Sequence, residues 1–518
     1  MSDTDVLIAG AGPTGLVLAL WLQRLDVRVR IVDKVAEPGT TSRALVVHAR
    51  TMEFYHQIGI AEVLAGQALK FVAVNLWVRG SKRARLVLGD MGKGVSPYPY
   101  MLIFPQDQHE RFLIDRLREN GVEIDRPTEV VGFEERGDRV AVKMKRSDGS
   151  EETCEAAFLA GCDGARSVVR ESLHTGFPGG TYRHMFYVAD VEASGPVMNG
   201  ELHLAIDEAD FLGVFPMKGN GRGRLIGTVE EASEAQHTPL EWKDVSRGVI
   251  ERLGIDVQRV NWFSTYHVHH RVAAHFRGGH AFLLGDAAHI HSPVGGQGMN
   301  TGIGDAANLA WKLAAVLQGR ADNRILDTYE PERIAFAQRL VATTDRGFQL
   351  VTSDGRLARF VRLHLVPRVL PVVFTMKLPR RFMFRTLSQT AIEYRRSNLS
   401  AGFAGKIRGG DRLPWIKLGP SLAGHPDNFA PLVSLDWQLH VYGDVAPAIS
   451  GVCKAMRLPL HSFPWQEAMH SAGLVRDAVY LIRPDGYVGF AARDANAAKL
   501  QQYLSDWQIR PREPSSRT

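Results

Sequence analysis

Three glycine-bearing turns, far apart in the chain, hold the residue types best suited to chemistry. The first is Gly10-x-Gly12-x-x-Gly15, with Pro13 and Thr14 inside it. It follows the apolar run 5–10 (DVLIAG) and opens the helix-like stretch LVLALWLQRL. A diphosphate must come close to bare backbone N–H groups at a helix N-terminus, and side chains there would block it. Asp33, with Lys34 beside it, ends the next apolar run, 23 residues after Gly10. A carboxylate at that place accepts hydrogen bonds from an adenosine ribose. The pattern predicts strand, turn, helix and strand, a βαβ unit of about 30 residues. By itself it does not separate FAD from NAD.

The second turn lies in residues 281–312 (AFLLGDAAHIHSPVGGQGMNTGIGDAANLAWK). An apolar strand runs into Gly285-Asp286, then into a loop holding Pro293, Gly295 and Gly298, then into a helix opening near Met299-Asn300. An aspartate at a strand end suits a polyol hydroxyl. A second helix N-terminus suits the pyrimidine edge of a flavin, where reduction builds negative charge. Two anchors so far apart in the chain fit FAD. The third turn, Cys162-Asp163-Gly164-Ala165-Arg166, also follows an apolar strand. Its aspartate and arginines either support the nucleotide site or form a structural turn with an ion pair.

With GAGPTG at 10–15, DG at 163–164 and GD at 285–286 in this order, the chain resembles the single-component, group A flavin-dependent aromatic hydroxylases of the para-hydroxybenzoate hydroxylase type. The resemblance covers about residues 3–345. Beyond it, GGDRLP (409–414) and YLIRPDGYVGF (480–490) resemble the longer phenol and polyketide hydroxylases, which carry a C-terminal thioredoxin-like domain. No CxxC occurs there, so no redox thiol chemistry is expected.

The resemblance implies that Arg43 contacts FAD and positions the nicotinamide, that Gln106 lies beside the flavin, and that Asp286, Met299 and Asn300 contact its ribityl chain and ring. It implies FAD as cofactor, NADPH or NADH and O₂ as co-substrates, and hydroxylation of a small phenolic ring through a flavin C4a-hydroperoxide. The loop HSPVGGQGMNTG leans towards breakdown of monocyclic phenols. For substrate contact and proton handling, the candidates are His48, Tyr55, His203, Phe215, Met217, Arg222, Pro293 and Gly295. A histidine can assist deprotonation near neutral pH, while core packing is the competing role for each. An FAD-dependent reductase of the same fold and a non-catalytic FAD-binding assembly protein are the rival functions.

Elements must position these turns. Helices are expected at 107–120, 300–319 and over most of the basic segment 330–400, and the last helix at 494–507. Strands are expected over 128–160 and 181–275, at 281–285 and 435–443, and over 478–492 with a hairpin turn at Pro484-Asp485-Gly486. Tyr266, His267, His269 and His270 read as strand alternation, not as metal ligands. The expected fold class is α/β: an FAD-binding Rossmann-like domain of the GR2 type (1–75, 100–180 and 278–345) interleaved with a β-sheet substrate domain (76–99 and 181–277). A helical linker (346–400) and the thioredoxin-like domain (401–518) follow.

Composition bounds the partners. The 518 residues are 45% hydrophobic and 23% charged, with a net charge of +6 and no Lys/Arg run of five, which leaves nucleic acid without support. Three cysteines lack disulfide or metal spacing, the pattern of a reducing cytoplasm. Residues 6–22 lack the basic flank of a signal peptide. The stretch from Leu363 to Met376, interrupted by Pro367, Arg368 and Pro371, is too short to cross a bilayer. A soluble protein without a membrane partner is expected, and a homodimer is compatible with the resemblance.

Overall fold

The computed structural model describes residues 4–39, 44–89, 91–206, 211–229, 240–245, 247–292, 294–352, 360–419 and 425–512. Arg43 and Pro293, both singled out above, lie outside them. The first apolar run forms β1 (Thr4–Ala9), which leads into α1 (Pro13–Arg24) and β2 (Val29–Val32). Downstream come α2 (Ala49–Gln57), α3 (Gln106–Glu119), β3 (Glu151–Gly161), β4 (Ala281–Leu283), α4 (Gly298–Leu317) and α5 (Tyr329–Thr352). β4, β3, β1, β2 and Ile124–Asp125 lie side by side, all parallel. Strands covered by helices on both faces read as continuous apolar runs, which is how β1 and β4 read. α4 is buried along nearly its whole length and lies against α1 so closely that a Cβ at Gly302 would sit 2.2 Å from Thr14 Oγ1.

A second sheet takes strands from widely separated segments. Its order is His289–Ile290, Asp256–Val272, Gly179–Ser194, Arg222–Thr228, Phe211–Pro216, Leu202–Ile206, Ala73–Val78 and Ser81–Val87. Its edge strand, His289–Ile290, begins three residues after Asp286, so the turn at 285–286 and the second sheet are joined by a short tether. Tyr266, His267, His269 and His270 lie within Asp256–Val272, as their alternation predicts. The third sheet holds a βαβ unit (Gln438–Tyr442, Pro447–Ala455, Leu460–Phe463) and a hairpin (Val479–Ile482, Val488–Ala492) followed by a helix (Ala497–Asp506). That succession gives the thioredoxin-like domain, and the fold class is the one the sequence implies.

The hairpin turn at Pro484-Asp485-Gly486 is where expected, but it is buried rather than solvated. Arg483 donates to both oxygens of Glu332, at 2.8 and 3.0 Å, and to both oxygens of Asp485. Lys312 and Asn308 also donate to Glu332, at 2.9 and 2.7 Å. Arg50 reaches the Asp485 carbonyl and Glu53, and Arg412 pairs with Glu53 from the other side. All of these charged side chains are buried. Burying charge is tolerated only when it is paired and hydrogen-bonded. The pairing lowers the Glu53 carboxyl and holds that of Glu332 well below the usual range, while burial brings Lys312 down to about 8.

Arg483→Met would leave Glu332 and Asp485 facing each other without their shared cation. A loss of about 3–5 kcal/mol in unfolding free energy is expected. Denaturant titration of the purified protein measures it, and a loss under about 1 kcal/mol would contradict this account of the interface.

Candidate functional site

The first glycine turn divides its work between packing and open space. Gly10 has φ +102°, and a Cβ there would lie 2.3 Å from the Cys162 carbonyl oxygen. A Cβ at Gly15 would lie 2.0 Å from the Gly10 carbonyl oxygen. Gly12 differs: among the described residues nothing lies within 4 Å of a Cβ built there. It fronts the N-terminus of α1, which has Pro13 in its first turn and no side-chain cap. Uncapped first-turn N–H groups facing open space are an anion site.

Asp33 accepts the Ala11 N–H at 2.7 Å and the Val35 N–H at 2.9 Å, so it braces the turn from the end of β2. Lys34 is exposed beside it. Arg126, which the sequence reading missed, lies 3.7 Å from Asp33 and donates to the Val35 carbonyl at 3.0 Å. Its signal was its position just beyond the carboxyl end of the parallel strand Ile124–Asp125, where open α/β sheets bind ligands. Asp163 accepts the Val169 N–H at 3.2 Å, and burial raises its carboxyl above the usual range. Arg170 of the same motif donates to the Ala287 carbonyl at 3.0 Å and so ties the third turn to the second.

The second turn is pinned from beneath. Gly285 has φ +59°, and its N–H donates to Asp305 of α4 at 3.0 Å. His289 and Arg333 meet the same carboxylate at 2.7 and 2.6 Å. Asp286 stands exposed on the turn, and Met299 is half-buried in the first turn of α4. The loop above is held by two side chains. His48 Nε2 lies 3.0 Å from the Gly295 carbonyl. Asn300 donates to the Val46 and Gly296 carbonyls at 2.8 Å and accepts from the His48 N–H and the Thr51 hydroxyl. The Asn300 side chain is therefore engaged with the loop, so a contact from residue 300 to the flavin would come from its backbone at the start of α4. Gln106 receives the Ala44 N–H and donates to Glu110 at 2.8 Å.

Buried polar atoms without a hydrogen-bond partner are scattered through the described residues, and four of them, His48 Nδ1, His291 Nε2, Ser292 Oγ and Asp163 Oδ1, gather here. Buried polar atoms rarely stay unpaired in a functional protein. All four belong to the second and third turns or to His48, which braces the second, and a bound dinucleotide offers hydroxyls, ring nitrogens and carbonyls to meet them. With two helix N-termini side by side and Gly12 open, the residues present fit FAD.

The substrate-side candidates divide. Phe215, Met217 and Arg222 line one cavity of about 300 Å³, with Met198, Asn199 and Glu201 across from them. No residue of the three glycine turns lines it. His203 sits behind it in the sheet, where the Trp77 indole N–H donates to Nδ1 at 3.0 Å and Asn199 takes Nε2 at 2.9 Å. Tyr55 is fully enclosed, its hydroxyl 2.7 Å from His109 Nε2. These contacts place His203 and Tyr55 away from the glycine turns and pair their polar atoms within the core, the arrangement of a packing role. His48 is likewise fully enclosed and is a positioning residue. Gly295, on the exposed side of its loop, keeps a place at the surface of the site.

Gly12→Val should fold with an unchanged thermal midpoint for the FAD-free protein yet hold no FAD, whereas Gly15→Val should fail to fold. Absorbance at the flavin band and circular dichroism distinguish the two. A flavin-loaded Gly12→Val would refute the cradle. Burial also depresses His48, His203 and His291 to about 4 and His109 to about 3. A group with a lowered folded pKa contributes stability that is complete above its unfolded value, about 6.5, and is lost as pH falls towards the folded value. The unfolding free energy from urea titration should drop steadily from pH 6.5 to pH 4, by up to about 1.4 kcal/mol per pH unit for each histidine, and the urea midpoint with it. A flat midpoint over that range would refute it.

Residues 3–344 match the family model described as FAD binding domain. 6-Methylpretetramide 4-monooxygenase of Streptomyces rimosus is 32% identical over 98% of this chain and 94% of its own length. Pentachlorophenol 4-monooxygenase of Sphingobium chlorophenolicum is 30% identical over 68% of this chain and 66% of its own. The solved structure of OxyS anhydrotetracycline hydroxylase from Streptomyces rimosus superposes with a TM-score of 0.80 at 28% identity, covering 99% of this chain and all of that one. The chain belongs to the FAD-binding family of flavin-dependent aromatic monooxygenases.

Proposed function

We propose that this enzyme uses NAD(P)H and O₂ to hydroxylate a phenolic ring. The observation that carries the reading is the placement of the second sheet. Its edge strand continues directly from the turn at 285–286, and Leu204 and Phe215 from its interior strands pack against the core that holds the glycine turns. A ring substrate enclosed between that sheet and the loop 294–298 would be shielded by apolar side chains.

When bound, FAD supplies hydride acceptance from NAD(P)H and activation of O₂ for transfer of one oxygen atom. The chain supplies the rest. α1 and α4 present N–H groups at two places on one molecule, which fixes its position along its length. Asp305 and Arg333 hold the Gly285 turn rigid from the buried side. His48 is neutral at physiological pH, so the proton on Nε2 can be donated to the Gly295 carbonyl and the loop stays in register. An oxygen-transfer site requires that water be kept out, which on this reading the bound substrate and the side chains of the second sheet would do. The names of the relatives, which act on pentachlorophenol, 6-methylpretetramide and anhydrotetracycline, support a panel that is not confined to one size of substrate.

A panel of single-ring and fused-ring phenols, with NADH and NADPH in turn, tests the proposal. At least one phenol should stimulate NAD(P)H oxidation about tenfold or more, with one hydroxylated product formed per O₂ consumed. NAD(P)H oxidation that no phenol stimulates, or that yields only H₂O₂, would leave the rival reductase or assembly role in its place.

A further inference from the structure

Between the FAD-binding core and the third sheet run two helices, α6 (Val366–Thr375) and α7 (Lys377–Leu387). Each has an inner apolar face. Val366 and Phe374 pack on Leu76, Ala84 and Leu86 at the edge of the second sheet, and Phe384 is buried against Gly92. Each also has an outer apolar face. Leu365, Val369, Val372 and Met376 recur at helical spacing, all exposed, and beyond the bend at Met376 the first turns of α7 expose Leu378 and Phe382 at 82% and 73%. Phe360 is exposed just before them, and elsewhere among the described residues the exposed large hydrophobics are separate valines and Phe403. A contiguous apolar stripe of this kind marks an interaction surface.

The charges around the stripe are of one sign. Residues 360–387 contain six Lys and Arg and no Asp or Glu. Arg368, Lys377 and Arg381 are exposed, and among the described residues no carboxylate pairs with them. A second copy of the chain docked symmetrically on this face would bring like charges together. An anionic phospholipid layer instead meets both properties, with headgroups for the cations and acyl boundary for Leu378, Phe382 and Val372. The stretch from Leu363 to Met376, too interrupted to cross a bilayer, is well formed to lie along one.

We propose that α6 and α7 dock this enzyme on an anionic lipid surface through the stripe Leu365–Phe382 and its flanking Lys and Arg residues. The FAD-loaded full chain would be sedimented with vesicles of equal phosphatidylglycerol and phosphatidylcholine, and with pure phosphatidylcholine vesicles. Binding should be at least about tenfold tighter to the anionic vesicles and should weaken in high salt. The double variants Leu378→Glu/Phe382→Glu and Lys377→Glu/Arg381→Glu should each lose about tenfold or more of that binding. Their thermal midpoints and flavin absorbance should not change, because all four side chains are exposed. The proposal is overturned if neither vesicle binds, if both bind equally, or if the variants bind like the parent. It is also overturned if light scattering shows a dimer that Leu378→Glu/Phe382→Glu splits, since a second copy would then cover the stripe.

Discussion

A single carboxylate inside a buried helix, Asp305, governs how the cofactor cradle is assembled. Held alone in the core, it would carry a large desolvation cost. Three donors meet it, from the end of β4 (Gly285), from the edge of the second sheet (His289) and from α5 (Arg333). Because those donors belong to separate elements, satisfying one charge fixes three elements against α4. Arg333 then reaches the Thr301 carbonyl and the Tyr394 hydroxyl, which extends the constraint beyond the FAD-binding core. Removing any one donor leaves the charge underpaired, so the arrangement is held as a unit.

The adjacent residue carries the constraint onward. Glu332 faces Lys312 and Asn308 of α4 on one side and Arg483 of the third sheet on the other. Neighbours in sequence thus serve two different interfaces. Arg333 looks towards the glycine turns and Glu332 towards the C-terminal domain. In a helix that carries several other charged residues, these two read as surface positions, and they are instead buried in the polar joint between α4 and the third sheet.

This explains what was legible in the sequence. The glycine turns were, because close backbone approach is a local demand that only glycine meets at Gly10 and Gly15. The strands β1 and β4 and the helix α4 were too, because apolar runs and helical periodicity are local, and only their ends shifted. Asp305, Lys312 and Glu332 were not, because a polar residue in a helical pattern looks the same whether it faces water or a partner distant in sequence. Residue type also leaves the roles of Tyr55 and His203 open. Type gives an atom's reactivity, and only the fold shows that His109, Trp77 and Asn199 already occupy those atoms.

The C-terminal domain lacks a CxxC motif and touches none of the three glycine turns through the contacts described, yet it is coupled to the flavin loop through α2. At the start of that helix, His48 holds the Gly295 carbonyl and its N–H donates to Asn300. Further along, Arg50 holds the Asp485 carbonyl, Glu53 pairs with Arg412, and Gln57 donates to the Pro484 carbonyl at 2.7 Å. One helix therefore grips the buried hairpin turn with one set of residues and the loop beside α4 with another. A rigid helix transmits displacement along its axis better than it absorbs it. Loosening the hairpin would free Arg50 and Glu53, both buried, and the strain would fall on the helix end that carries His48. The hydrogen bonds made along α2 thus join the C-terminal domain to the loop at Gly295.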